Sequence, residues 1–172
     1  MSFVQRLFGR QNERQSMLPL YQRVVSLGRD PAWYRDGEVP DTLEGRFDVV
    51  ATVLALILLR LEREGDRARR DSVLLTEIFI DDMDSSLREL GAGDMVVGKK
   101  VGKLVGALGG RLGALREAAD DPVAFAAAVR RNVFRDAPPS EEKAAWVAAR
   151  LADLRTRLAA TPLEALRAGE LA

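Results

Sequence analysis

The chain has 172 residues, 47% apolar and 30% charged, with equal numbers of acidic and basic groups and neither cysteine nor histidine. That size and mix suit one globular domain with a full core and exclude a disordered tail. Without thiol or imidazole groups the chain cannot build a disulfide, a thiolate nucleophile, a zinc ribbon, an iron–sulfur cluster or a Ser-His-Asp relay, so the function classes that depend on them fall away.

The charge is unevenly laid out: six basic and two acidic groups in residues 1–35, seven and fifteen in 36–94, thirteen and nine in 95–172, giving net charges of +4, -8 and +4. A nucleic-acid binder needs a basic contact face, and an acidic middle between basic ends speaks against DNA as a partner. The longest uncharged apolar run, Val49–Leu59, has eleven residues, whereas a spanning helix needs about 20. No cleavable signal pattern is present, so a cytoplasmic protein is expected.

Residues 1–15 read as a basic amphipathic segment. Phe3, Leu7 and Phe8 share one face, and Arg6 and Arg10 lie on the other, a candidate contact with the inner face of the cytoplasmic membrane; the alternative is a terminus folded back on the domain. From Ser16 the spacing of Leu20, Val24 and Leu27 predicts a helix, with Pro19 in its first turn and Gly28 at its end. Residues 29–41 read as a loop pinned to the core by Trp33 and Tyr34.

Asp41 or Thr42 caps the next helix, which is apolar nearly all round from Phe47 to Leu61 and must therefore lie at the centre of a bundle. Leu74, Leu75, Ile78, Phe79, Met83, Leu87 and Leu90 recur at helical spacing, and Gly91 and Gly93 end that element. A further helix is expected from an N-cap at Asp94 to about Ala119. Asp120-Asp121-Pro122 restarts a helix through Phe134, Ala137-Pro138-Pro139 breaks it, and Ser140 opens a long one to about Ala160, followed by a short last helix after Thr161-Pro162. No segment alternates apolar and polar residues with period two. The expected fold is all-α, a single compact bundle of about six to seven helices over residues 16–172, with no sheet.

Three motifs invite a chemical reading. Gly98, Gly102, Gly106 and Gly110 form a seam at four-residue spacing, and each interior glycine costs roughly 0.5–1 kcal/mol against alanine. A close helix approach would offset that cost, and the expected neighbour is the chain's own central helix, with a partner's helix as the alternative. Asp81, Asp82 and Asp84, with Glu77 on the face of Asp81 and Asp84, resemble the DDxxD cluster of magnesium-dependent diphosphate enzymes, but Ser85 and Ser86 stand where the next acid belongs. A solvated or ion-paired helix face is the better reading, and neither metal nor cofactor is expected. Gly98-Lys99-Lys100 lacks the Ser or Thr and the preceding strand of a P-loop.

Val39-Pro40-Asp41-Thr42 with Gly45-Arg46-Phe47-Asp48, then Asp82-Met83-Asp84 with Leu87-Arg88-Glu89, Gly91, Gly93-Asp94 and Val97-Gly98-Lys99, and finally Arg131-Asn132, resemble the ubiquinol-cytochrome c chaperone family in order and spacing. The resemblance covers about residues 18–135. It implies an all-helical assembly factor and not an enzyme. Its mitochondrial relatives bind newly made cytochrome b near the ribosomal exit tunnel, together with a small co-chaperone, and pass it on for assembly of the reductase complex. Gly102 and Gly106 depart from the larger residues usual in relatives, and a bacterial-type member is expected.

A chaperone of this kind needs apolar surface ringed by charge. The candidate partner-binding set is Arg46, Asp82, Asp84, Arg88, Met95, Val97, Gly98, Lys99, Lys100 and Lys103. Within it, Met95 and Val97 are expected to support the apolar surface and the three lysines to reach a client, ribosomal RNA or lipid headgroups.

Overall fold

The structure, a computed structural model, describes residues 11–89, 91, 93–135 and 139–172, with the side chains of residues 94–96 outside that description. Phe3, Arg6, Leu7, Phe8 and Arg10 lie outside the described residues, as do Leu90 and the Ala137-Pro138 break. Residues 11–16 are helical and lead into α1 (Leu18–Gly28). There follow α2 (Ala32–Arg35), α3 (Leu43–Glu62), a 3-10 turn at Gly65–Arg67, α4 (Arg69–Glu89), α5 (Asp94–Glu117), α6 (Pro122–Phe134), α7 (Glu141–Ala160) and α8 (Leu163–Arg167). The described residues contain no strand and no helix long and apolar enough to cross a membrane.

The all-α bundle expected from the sequence is the fold observed, and its organising element is α3. Every residue from Phe47 to Leu58 is buried, because a helix apolar on all sides loses free energy wherever water reaches it. Helices α1, α4, α5, α6 and α7 all pack on α3. The short α2 sits inside what reads in sequence as a loop and closes the ring between α1 and α7. Trp33 meets Trp146 edge-on at 6.0 Å between centroids, and its indole N–H donates to the Leu27 carbonyl at 2.7 Å. Arg150 lies over both rings and pairs with Asp30.

Helix starts follow local chemistry, with one correction. Thr42 accepts from the Gly45 amide at 3.1 Å, Asp121 from the Val123 and Ala124 amides, and Ser140 from the Lys143 amide. Asp94 is not the cap of α5: Gly93 holds that place without a side-chain bond, and Asp94 is the first helical residue.

The glycine seam corrects a second expectation. Gly98, Gly102, Gly106 and Gly110 are exposed, and a Cβ built on any of them would meet no atom within 4 Å. They do not face α3; α5 packs on it through Leu108, Arg111 and Leu115 on the opposite side. Close approach falls to other glycines. A Cβ on Gly28 would lie 2.6 Å from Val50 Cγ2, and one on Gly45 only 2.0 Å from the Pro40 carbonyl oxygen.

Gly45→Ala and Gly28→Ala are therefore expected to destabilise the fold by about 1–3 kcal/mol each through overpacking. Urea denaturation checks this, as a lowered midpoint at unchanged slope.

Candidate functional site

Where α3 emerges from its cover, three helix ends frame a groove of about 350 Å³. From α3 come Leu43, Glu44 and Phe47, from α4 Met83, Ser86 and Leu87, from α5 Lys100, Lys103, Leu104 and Ala107, and Arg135 follows α6. Residues three and four apart share a helix face, so each helix offers the groove one apolar edge. Leu43 is 55% exposed at the start of α3, while Phe47 forms the floor, stacked against Phe79 at 5.9 Å between centroids. Lys100 and Lys103 stand on the rim, and among the described residues neither has an acidic partner.

Beneath the floor lies a charged network within the core. Asp48, 1% exposed, pairs with Arg111, 3% exposed, and with Arg135, whose Nε stands 2.5 Å from the carboxylate. Arg111 also donates to the Asn132 carbonyl at 2.9 Å and lies 5.5 Å from the Phe47 ring. Burial pushes the Asp48 carboxyl above its ordinary value, against the opposing pull of the Arg135 and Arg111 guanidiniums, and burial lowers Arg111 against the pull of Asp48. Arg135 holds its place at φ 47°, ψ -113°, a conformation costly for a residue with a Cβ. It joins the groove wall to the buried network.

A second cleft, of about 240 Å³, lies among Leu56, Leu59, Leu115 and Leu158 and carries Arg60, Arg63, Arg116 and Arg155. Three of these arginines are engaged. Arg60 donates to the Leu158 and Thr161 carbonyls, Arg155 to the Ala119 carbonyl, and Arg116 to Glu62. Helices α3, α5 and α7 all end near this cleft, and the arginines answer the negative ends of their dipoles. Their charge serves the fold.

Of the residues singled out in sequence, Lys100 and Lys103 meet at the groove. Lys99 and Gly98 are exposed but outside its lining. Val97 is buried and belongs to the core, so it is not surface; the Met95 side chain lies outside the described residues. Arg46 pairs with Asp41 at 2.6 Å and lies over the Tyr34 ring. Asp84 pairs with Arg88, and Asp82 accepts from the Tyr21 hydroxyl at 2.6 Å. Burial, reinforced by that bond, raises the Tyr21 phenol well above its usual range. Asp81 pairs with Arg14, so the three aspartates serve three separate contacts.

Sequence reasoning missed the groove's apolar lining and the Asp48 network. One signal for the network was legible: Asp48 is the only ionisable residue from Phe47 to Leu59.

The ubiquinol-cytochrome C chaperone family model matches residues 35–172. The chain belongs to the ubiquinol-cytochrome C chaperone family. Among solved structures it is similar to the crystal structure of the Cbp3 homolog from Brucella abortus, at 32% identity and a TM-score of 0.79, covering 99% of this chain and 96% of that one. No curated protein matches the chain. The residues that carried the resemblance have structural roles here: Thr42 caps α3, Gly45 admits the Pro40 carbonyl, Phe47 floors the groove and Asp48 anchors the network.

Asp48→Ala is expected to cost about 3–5 kcal/mol, because it strands the buried Arg111 charge. Asp48→Leu combined with Arg111→Met should recover most of that loss. Urea unfolding of Asp48→Leu, Arg111→Met and their combination reads the coupling.

Proposed function

We propose that this chain is an assembly chaperone that shelters an apolar segment of a newly made membrane subunit, cytochrome b or a related one, during biogenesis of ubiquinol-cytochrome c reductase. The groove at the exposed end of α3 is the observation that carries this reading. Leu43, Phe47, Met83, Leu87 and Leu104 give it a continuous apolar lining, open to solvent on one side. Its reach suits side chains of an apolar helix, and family membership supports a role in assembly with a client protein.

Lys100 and Lys103 on the rim, against Glu44, favour a client segment with neutral or acidic flanks, the Arg135 charge being taken up by Asp48. The basic N-terminal segment of the chain itself suits this rim poorly. Binding of this kind needs no nucleophile, metal or cofactor, since its work is exclusion of water from a greasy surface until insertion. The protein acts at the cytoplasmic face of the membrane that receives the client.

A photoreactive residue at Leu104 or Lys103 is expected to capture cytochrome b or a neighbouring reductase subunit in cells making the complex, while one at exposed Ala149 on α7 is not. Capture from neither groove position would remove this reading. Leu43→Glu should weaken client binding about 30-fold, the scale of an interface hot spot. Lys100→Glu with Lys103→Glu should abolish its dependence on acidic flanks, read by salt titration.

A further inference from the structure

The groove is small for the occupant it is proposed to hold. Its volume of about 350 Å³ stands near the lower limit for enclosing one drug-sized molecule, far short of a spanning helix of about 20 residues. One wall of it is poorly secured. No residue from Gly98 to Ala107 is buried, whereas every residue from Phe47 to Leu58 on α3 is.

That stretch contains Gly98, Gly102 and Gly106, and alanine would fit at each without a contact inside 4 Å. Sterics therefore do not require these glycines, and each lowers the helical population by about fourfold against alanine. The helix starts at Gly93 without a side-chain cap, and the link from α4 passes through Gly91 at φ 80°. In the first turn Val97 is buried. Within the stretch Leu104 packs half-buried against the core, and full burial begins with Leu108, Arg111 and Leu115, where Asp48 and the Asn132 carbonyl hold Arg111.

We propose that the first half of α5, residues 94–107, is a displaceable wall that detaches about the Ala107–Leu108 junction, and that an apolar helix of the client enters the widened cleft over Phe47, Met83 and Leu87. The inference rests on the groove being the client site, and it assigns that site a resting form and an open form. Local opening of this kind draws on the least buried part of a fold. The fraction of open molecules then sets the rate of client entry. The glycines keep that fraction high.

The test uses the full chain, hydrogen exchange, and a labelled synthetic peptide of about 20 residues with an alanine–leucine centre and glutamate flanks. Amides of residues 98–107 are expected to exchange through openings that leave the α3 amides protected. Replacing Gly98, Gly102 and Gly106 together by alanine should raise that protection on the order of 50-fold and slow peptide association by a similar factor, with dissociation unchanged. Gly93→Asp, which caps the helix without filling the glycine stripe, should move both quantities the same way by about threefold.

Protection of residues 98–107 equal to that of α3 would overturn the displaceable wall and leave the groove standing. Unchanged association in the stabilised variants would do the same. Faster dissociation in the triple alanine variant, with no effect of Gly93→Asp, would overturn it in favour of a partner helix lying on the glycine stripe. Peptide binding indifferent to Leu43→Glu would instead sink the groove reading, even with opening visible in exchange, and would take the proposed entry route with it.

Discussion

Burial of α3 on every side is the constraint from which the rest of the molecule follows. A helix without a polar face must be surrounded, and five helices together with the short α2 provide the enclosure. Their approach is close enough to demand glycine where α1 crosses Val50 and where the Pro40 carbonyl turns back on Gly45. The enclosure is incomplete at the start of α3. Leu43 is exposed there and the buried Phe47 lines the groove beneath it, so the same greasy element that builds the core also floors the groove.

The Asp48 network works on the bundle differently. A buried ion pair is a weak net stabiliser, since desolvation offsets much of its attraction, but it is strict about geometry. Asp48 on α3, Arg111 on α5, and Asn132 and Arg135 at the end of α6 meet only when three helices are in register. An apolar core tolerates sliding more readily than this arrangement does. The strained backbone of Arg135 places its guanidinium on Asp48 while its side chain also borders the groove. Core register and site shape are thereby tied together.

The two clefts show how similar compositions lead to opposite roles. Both have apolar linings and basic rims. In the smaller one three of the four arginines bond to carbonyls at helix C-termini or to Glu62 and so are occupied by the fold itself. In the groove the two lysines stand free of acidic partners among the described residues, on a stretch of α5, residues 98–106, whose exposed residues are glycine, lysine and valine. Charge left unspent on the fold beside apolar surface left uncovered is the signature of a place for another molecule.

The sequence by itself determined the all-α class, the central position of the apolar helix from Phe47 to Leu61, the approximate bounds of the long helices and the family. These are set by spacing along the chain: period, caps and breakers act within one or two turns. It also marked Lys100 and Lys103, because three lysines in five residues are visible without coordinates. Tertiary structure alone decided which face of α5 turns inward, that Val97 is core, that Asp82 serves Tyr21, and that Leu43, Met83 and Leu104 share one groove. Those facts depend on the rotation of each helix about its own axis. For α5, with glycine on one face and leucine, alanine and arginine interspersed on the other, that rotation is fixed by what Asp48 and Phe47 offer it across the core.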